Sequence, residues 1–420
     1  MAEPKVELIS QGSYGCIFRP GFNCKGKPIK HKQNNQYITK VQKIASTSNR
    51  ETRLGKIIKK LVNHEDYFAP ILTNCEVTLA RIDNDKIKRC DFIEDDEKTY
   101  ETNKIRYVGK NTLATYILNV VEDRPKQLFR VLLDTHIHLL KGFDKLYSAG
   151  IVHLDVKENN IMIDDNTKTP IIIDFGLSSE ITALNTNNYR DVFFVYSPDY
   201  SPWCIDTCML SYMANELKNE IIPPGMLGFI GFEKNKAENW LDGMVTNEKI
   251  TKVITDFITK NTAMIEILNE TQRKNYKNTL EEYFGKFVGK TWKDVADELE
   301  QNASTWDCYA VSIMYSYIIQ DLELNNVDMK IPSWISYKKT LEDAIMSPPD
   351  KRASSKEMIT KIEDVFTNIS SNENKDMMKI LDNIKLSKEK KMNIRTNILN
   401  TKQKLLQRET KIYDANIERV

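Results

Sequence analysis

Four polar side chains occur in two short clusters that are embedded in aliphatic sequence near the middle of the chain. The first cluster is Asp155, Lys157 and Asn160, with aliphatic residues on both sides. The second is Asp174, which directly follows three isoleucines and lies nineteen residues beyond Asp155. Charged groups among apolar strands are costly unless they are paired or bind a charged ligand. The pattern therefore favours a chemical role for these residues over a structural one.

The residue types in the two clusters are those that phosphoryl transfer requires. One carboxylate must orient a hydroxyl group and accept its proton, one cation must balance the charge of the moving phosphoryl group, and oxygen ligands must hold Mg²⁺. We interpret Asp155 as that base and Lys157 as that cation. Asn160 and Asp174 are then the predicted metal ligands.

Two segments near the N-terminus add to this pattern, although each is weak alone. Gly12 and Gly15 have no Cβ, so backbone N–H groups there can approach phosphate oxygens closely. Lys40 lies in an apolar strand, where its ammonium needs a partner such as phosphate or the carboxylate of Glu51, with Glu65 as the alternative. An ordinary hairpin turn and a solvated edge-strand lysine remain open as structural explanations.

The order of predicted elements indicates two unlike lobes that meet at a cleft. The first hundred residues read mostly as short strands, interrupted by an amphipathic helix over 48–61. Helices over 127–149 and, nearly apolar all round, 309–319 follow. Past Pro202 the chain reads as mostly helical, which is typical of an α+β protein with a helical second lobe.

Composition excludes several other classes of function. The chain has 420 residues and a net charge of +1, which gives no global reason to expect nucleic acid or membrane binding. The sequence predicts no membrane span and a soluble protein. The seven cysteines have irregular spacing, and neither Cys204/Cys208 nor His136/His138 is accompanied by a second pair at zinc spacing. We expect reduced thiols in a cytosol-like compartment.

Taken together, these segments resemble the eukaryotic-type protein kinase family. The glycine turn, the strand lysine, the HxDxKxxN string around Asp155 and the Asp174-Phe175-Gly176 string carry the resemblance. It implies an α+β bilobal kinase fold with a small antiparallel β-rich N-lobe over 1–107 and a large α-helical C-lobe over 108–366. A helical insertion over 200–303 and a helical tail over 367–420 complete the expected domains.

The resemblance also implies ATP and Mg²⁺ as cofactors and assigns residues to them. Arg106-Tyr107-Val108-Gly109 looks like the hinge between the lobes, and Ile105 like the gatekeeper. Lys40 would act in catalysis together with Asp155 and Lys157. The residues implied for nucleotide binding are Ser10, Gly12, Gly15, Ile17, Lys40, Glu51, Ile105, Arg106, Val108 and Met162.

Three later positions match supporting parts of the family. Asp307 resembles the aspartate that ties a C-lobe helix back to the catalytic loop. Ser197-Pro198-Asp199 resembles the APE motif, and Arg352 the arginine that pairs with its carboxylate. We therefore expect an ion pair between Asp199 and Arg352.

The chain departs from the family in ways that affect regulation and substrate choice. Leu154 replaces the arginine that usually binds an activation-loop phosphate, which argues against activation by that route. The long insertion lies where protein substrates approach in the family, so it would either help choose the substrate or only buttress the lobe. These features look most like the divergent Ser/Thr kinases of large cytoplasmic DNA viruses, which implies the infected-cell cytoplasm or the virion.

The expected activity is transfer of the ATP γ-phosphate to Ser/Thr hydroxyls of a protein substrate, since Lys157 follows the Ser/Thr-type pattern. A pseudokinase that acts as a binding scaffold is the main alternative, and a small-molecule or lipid kinase is another. Nucleic-acid binding by the Lys-rich tail is the less favoured interpretation, because aromatic residues do not interleave its charges. The sequence leaves the oligomeric state open.

Overall fold

The chain divides into two units that alternate along the sequence. One comprises Met1–Tyr116 and Asn159–Ser178, and the other comprises Ile117–Glu158 and Ser179–Val420. The structure is a computed structural model, and it describes residues 6–12, 15–29, 37–42, 45–79, 89–93, 97–184, 189–221, 240–324 and 330–382. The domain limits expected at 107 and 366 remain predictions.

A five-stranded antiparallel sheet forms the first unit, in the order β1-β2-β3-β5-β4. Its core contains the aliphatic and aromatic side chains that alternate inward along β1 to β4, among them Phe18 and Val41. The helix α1 packs against β4. The elements of the sheet and this helix are β1 (Glu7–Gly12), β2 (Gly15–Arg19), β3 (Tyr37–Gln42), α1 (Ala45–Ile58), β4 (Ile71–Thr78) and β5 (Thr99–Arg106).

Two disulfides tie loops of this unit to its sheet, and they correct the expectation that all the thiols are reduced. Cys16 pairs with Cys90 and Cys24 with Cys75, with Cα–Cα distances of 6.1 and 5.8 Å. The partners are 74 and 51 residues apart, so local spacing gave no sign of either pair. The remaining three cysteines, Cys204, Cys208 and Cys308, are free thiols in the interior of the second unit.

The short strands that carry the central motifs fall into both units. In the first unit, β7 (Ile161–Ile163) and β8 (Pro170–Ile172) form an antiparallel hairpin. In the second, β6 (Ile151–Val152) pairs with β9 (Ser179–Glu180). The chain therefore enters the first unit after Glu158 and leaves it after Ser178.

The rest of the described chain is helical, as the sequence predicts. The helix α2 begins in the first unit and ends in the second. The helices are α2 (Leu113–Asp123), α3 (Leu128–Ser148), α4 (Tyr189–Val192), α5 (Ile205–Tyr212), α6 (Lys218–Ile221), α7 (Asn247–Lys260), α8 (Thr262–Ile267), α9 (Glu270–Gly285), α10 (Trp292–Gln301), α11 (Trp306–Leu324), α12 (Pro332–Met346), α13 (Ser355–Thr367) and α14 (Ser371–Asp382).

Helices α7 to α10 make up the described part of the insertion beyond residue 240, and their starts are encoded locally. Thr246, Asn261, Asn269 and Thr291 each accept a hydrogen bond from a backbone N–H in the first turn of the helix that follows. The predicted apolar face Ile250/Val253/Ile254/Phe257/Ile258 is buried, as are the aromatic residues of α9 and α10. The prediction of a folded helical insertion is confirmed for these residues.

The structure describes the C-terminal tail only as far as residue 382. The helix α14 begins at Ser371, and its Met377 is buried. The predicted helical positions beyond residue 382 lie outside the described residues. Among the residues described, none of the helices has the length and apolar character needed to cross a bilayer.

His136 lies in the core between α3, α11 and α12, and serves packing there. Its ring stacks on Tyr315 with centroids 4.2 Å apart, and Nδ1 lies 2.9 Å from the hydroxyl of Tyr337. Burial lowers the pKa of His136 to about 3. Within the described residues, His, Cys, Asp and Glu side chains form no cluster suited to a metal ion.

This histidine should make stability fall in acid. The folded-state pKa is below the ordinary value of about 6.5, so between those pH values the unfolded chain binds a proton that the folded chain does not. His136 alone should then lower the free energy of unfolding by up to about 1.4 kcal/mol per pH unit below pH 6. The free energy of unfolding, measured in urea at a series of pH values, should fall less steeply below pH 6 in His136→Phe than in the wild type. Equal slopes would contradict the assignment.

The disulfides should stabilise the first unit and can be tested directly. Closing a loop of this length contributes about 2–4 kcal/mol by restricting the unfolded chain. Cys90→Ala should therefore unfold at a lower denaturant concentration than the wild type under non-reducing conditions. Peptide mapping of the unreduced protein should show the links 16–90 and 24–75 and three free thiols. Seven free thiols would contradict the pairing.

Candidate active site

Lys40 is the centre of a buried ionic cluster in the first unit. It lies on β3, with Cα partners Ile17 and Asn103 on the neighbouring strands. Its Nζ is 3.0 Å from Oδ1 of Asp174 and 3.6 Å from Oε1 of Glu51. A lysine with 5% of its surface exposed requires such carboxylates. The solvated edge-strand explanation for Lys40 is therefore wrong.

Glu51 is the helix carboxylate of this cluster, and the exposed Glu65 is not part of it. It lies on α1, is 2% exposed and accepts a hydrogen bond of 2.9 Å from Nε2 of Gln42. Burial raises the pKa of Glu51 above its ordinary value, and the adjacent ammonium of Lys40 offsets part of that rise. The lysine and the amide of Gln42 thus hold Glu51 from two sides.

Asn160 and Asp174 lie at the same end of the β7–β8 hairpin. Ile161 pairs with Ile172, and the N–H of Ile173 donates to the carbonyl oxygen of Asn160 at 2.9 Å. Asp174 has a φ of 61°, a left-handed conformation that is uncommon for a residue other than glycine. The backbone at these two residues is therefore adjacent, and the carboxylate of Asp174 is directed to Lys40.

The glycine turn and the hinge use glycine where the backbone passes close by. A Cβ on Gly15 would lie 2.0 Å from the carbonyl oxygen of Val41, and one on Gly109 would lie 2.2 Å from that of Ile163. Gly12 and Gly15 are Cα partners at the end of the β1–β2 hairpin. The residues between them lie outside those described. Ser10 is exposed on β1, as a Cα partner of Ile17.

Three of the residues implied for nucleotide binding share one apolar cluster of the first unit. Val108 is buried in it with Ala69 and Ile171, and Ile105 and Met162 pack against it. The side chain of Arg106 turns elsewhere, to the carboxylate of Asp164 at 3.3 Å and to the carbonyl oxygens of Glu65 and Phe68. Arg106 thus anchors the hinge through its side chain.

Asp155 and Lys157 form a close pair in the second unit. Both are buried, and Nζ of Lys157 is 2.9 Å from Oδ1 and 3.0 Å from Oδ2 of Asp155. Oδ1 also accepts a hydrogen bond from the hydroxyl of Tyr200. The carboxylate is therefore held in one orientation by charged and neutral donors.

Asp307, a buried carboxylate at the start of α11, holds the backbone just before Asp155. Its Oδ2 accepts from the N–H of His153 at 2.8 Å and its Oδ1 from that of Leu154 at 3.0 Å. Burial raises the pKa of Asp307, while His153 and these N–H groups act to lower it. Leu154 has a φ of 62° and is buried.

The partner expected for Arg352 is wrong. Arg352 pairs with Asp206 on α5, with Nη2 to Oδ2 at 2.8 Å and both side chains fully buried. Asp206 also accepts from Nε1 of Trp306 at 3.1 Å. Asp199 instead accepts from the hydroxyl of Ser197. Ser197-Pro198-Asp199 resembles the APE motif in sequence. The carboxylate that pairs with Arg352 nevertheless lies seven residues later, at the buried Asp206.

Each unit thus brings together a part of the predicted site. The first unit contains Lys40, Glu51, Asn160 and Asp174. The second contains Asp155 and Lys157, with only Glu158 and Asn159 between Lys157 and Asn160 along the chain. That these residues carry out phosphoryl transfer remains a prediction.

Comparison with known proteins agrees with this geometry. Residues 38–216 match the family model described as protein kinase domain. This region is similar to a protein kinase domain. The match includes Lys40, Glu51, the predicted hinge and both central clusters, and it supports similarity to protein kinases. The antiparallel sheet followed by a mostly helical remainder is the α+β fold of such kinases.

Individual relatives are distant and match only part of this chain. The chloroplastic serine/threonine-protein kinase STN7 of Arabidopsis thaliana is 32% identical over 112 residues, which are 23% of this chain and 20% of that protein. The mitogen-activated protein kinase pmk-3 of Caenorhabditis elegans is 27% identical over 166 residues, covering 36% of this chain and 34% of the relative. The chain therefore spans about a third or less of these relatives.

Sequence reasoning missed two residues of the region that matches the family model, Tyr200 and Asp206. Tyr200 is fully buried and bonds to Asp155, forty-five residues earlier. Its neighbours Ser201 and Pro202 give no local sign of that contact. Asp206 could have been found, because an aspartate flanked by Trp203, Cys204 and Ile205 is a charge in an apolar segment that needs a partner.

The Arg352–Asp206 pair should be essential for stability. Removing one partner of a buried ion pair leaves an uncompensated charge and costs about 3–5 kcal/mol. Arg352→Met should therefore lower the free energy of unfolding by that amount in a denaturant titration. The matched control is Lys356→Met, because Lys356 is 75% exposed and 3.8 Å from Asp144, and its loss should cost less than about 1 kcal/mol. Equal losses would contradict the assignment.

Proposed function

We propose that the chain is an ATP- and Mg²⁺-dependent protein kinase that phosphorylates serine and threonine hydroxyls of a protein substrate. The observation that carries this proposal is the contact of the buried Lys40 with the part-buried Asp174 at 3.0 Å, with Glu51 beside it. The ammonium of Lys40 is held by two carboxylates, and one of them, Asp174, is also a proposed metal ligand. A lysine in this position is suited to bind phosphate oxygens. The match to the protein kinase domain supports the same activity.

The donors fit a magnesium ion and the phosphates of ATP. Mg²⁺ prefers oxygen ligands, and Asn160 and Asp174 offer an amide and a carboxylate oxygen from adjacent backbone. Lys40 would bind the α- and β-phosphates, and Glu51 would keep its ammonium in place. The bound nucleotide and metal supply the phosphoryl group and neutralise charge on its oxygens.

The rest of the nucleotide has suitable surroundings in the same unit. The apolar cluster with Val108, Ile105 and Met162 would contact the adenine ring. The turn between Gly12 and Gly15 would cover the phosphates with backbone N–H groups, where the lack of a Cβ permits close approach. Ser10 and Ile17 flank this turn on β1 and β2.

Asp155 and Lys157 would act on the acceptor hydroxyl and the phosphoryl group. Asp155 orients the hydroxyl and accepts its proton, while Lys157 balances negative charge on the oxygens in transfer. The two hydrogen bonds from Lys157 keep the carboxylate of Asp155 oriented. Lys157, two residues after Asp155, follows the Ser/Thr-type pattern.

The origin and location of the protein are a finer part of this proposal. Leu154 and the insertion support similarity to the kinases of large cytoplasmic DNA viruses, with the infected-cell cytoplasm or the virion as the location. Disulfides persist in oxidising compartments and are rare in the cytosol. Cys16–Cys90 and Cys24–Cys75 therefore weigh against a reducing cytoplasm.

Substitution of the assigned residues should abolish transfer without unfolding the protein. Asp155→Asn should lower kcat by roughly 10²–10⁴, because it removes the base. Asp174→Asn should lower it at least as much and raise the Mg²⁺ concentration needed for half-maximal rate. The measurement is transfer of radiolabelled γ-phosphate to a generic basic protein, followed by analysis of the labelled amino acid.

Asp297→Asn is the matched control, since Asp297 is exposed and pairs only with the nearby Lys293 among the ion pairs described. It should leave the rate unchanged. A wild-type protein that binds ATP but labels neither proteins nor a panel of small-molecule and lipid acceptors would be a pseudokinase. Labelling of the small-molecule panel alone would refute a protein substrate, and labelled tyrosine alone would refute Ser/Thr specificity.

A further inference from the structure

Tyr200, the first residue of the expected insertion, connects the catalytic carboxylate with the helices that follow, and the sequence motifs assign it no role. Its hydroxyl donates to Oδ1 of Asp155, on the oxygen that also accepts from Lys157 at 2.9 Å. The Tyr200 side chain is fully buried. A hydroxyl placed there fixes the rotation of the carboxylate, because Oδ1 is bound from two directions.

The ring of Tyr200 is held by the segment in which it lies. It packs edge-on against Trp203, with centroids 5.6 Å apart and planes at 88°. Trp203 in turn donates from Nε1 to the carbonyl oxygen of Leu154 at 3.1 Å. Tyr200 therefore contacts the side chain of Asp155, and Trp203 contacts the backbone of the preceding residue, Leu154.

The backbone of Tyr200 is held by the start of α8, further along the insertion. Asn261, which is fully buried, donates from Nδ2 to the carbonyl oxygen of Tyr200 at 3.2 Å. The same side chain caps α8, since its Oδ1 accepts from the N–H of Ala263 at 3.0 Å. The next residue, Thr262, donates to the carbonyl oxygen of Asp199 at 3.2 Å. The start of α8 thus donates hydrogen bonds to two successive carbonyl oxygens, one of which belongs to the residue that contacts Asp155.

We propose that the insertion positions the catalytic base: Asn261 and Thr262 at the start of α8 hold Tyr200, and Tyr200 holds Asp155. Tyr200 is a positioning residue, because it acts through Asp155. This inference rests on the proposed kinase activity. It gives the insertion a role in turnover that neither substrate docking nor simple buttressing includes.

Tyr200→Phe is the direct test, because it removes the hydroxyl and keeps the buried ring. A misplaced catalytic group lowers turnover by up to about a hundredfold without weakening the binding of a substrate held elsewhere. We expect kcat to fall about ten- to a hundredfold while KM for ATP stays within about twofold. A rise in kcat would mean that the hydroxyl competes with the acceptor, and it would overturn the positioning role.

Asn261→Ser tests the connection to the insertion. Serine is also a good N-cap, so α8 keeps a capping oxygen, but its short side chain lacks the amide that reaches Tyr200. It should reproduce the kcat loss in part. The matched control is Thr246→Ala, which removes the cap of α7 at an exposed position and leaves the contacts of Tyr200 in place. Equal kcat in Asn261→Ser and Thr246→Ala would overturn the role of Asn261.

Amide hydrogen exchange of the peptide 151–160 separates this inference from the proposed function. Tyr200→Phe and Asn261→Ser should speed exchange there by several-fold, and Thr246→Ala should not. If the wild type transfers no phosphate, the kinase proposal fails, and the exchange rates still decide whether Tyr200 fixes the loop. Unchanged exchange in Tyr200→Phe would overturn the inference, whatever the activity.

Discussion

The backbone just before Asp155 depends on its two hydrogen bonds to the carboxylate of Asp307. This carboxylate accepts two backbone N–H groups, from His153 and Leu154, in a site where burial disfavours its charged form. The side chain lies at the start of α11, a helix that is buried along most of its length. A largely buried helix of the second unit thereby holds the backbone of His153 and Leu154, directly before Asp155. Catalytic precision requires such support from elements that do not themselves react.

The fold class could be predicted because its causes are local. The β-branched content of β3, the apolar stripes of α1 and α3, and the all-round apolar character of α11 each determine an element and its buried face. The capping residues Thr246, Asn261, Asn269 and Thr291 also mark where the helices of the insertion begin. These features act over a few residues, so a single sequence contains them.

The candidate site was predictable where one short segment contains both the charge and its apolar surroundings. Lys40, Asp155 and Asp174 stand out because isolated charges among aliphatic residues need partners. The partners of Cys16, Cys24, Arg352 and Tyr200 did not stand out, since each lies between 45 and 146 residues away. The choice of Asp199 over Asp206 failed for the same reason: two acidic residues near a proline look alike until the fold buries one of them.

The cysteines have a practical consequence for work on this protein. Four of the seven are joined in disulfides, and the other three are buried thiols, with the pKa of Cys204 and of Cys308 raised to about 12 by burial. Thiol reagents attack the thiolate of accessible cysteines. In its oxidised, folded form the protein accordingly offers them no ready target. A single cysteine introduced on the surface of the insertion could carry a fluorescent or spin label without any change to the native seven.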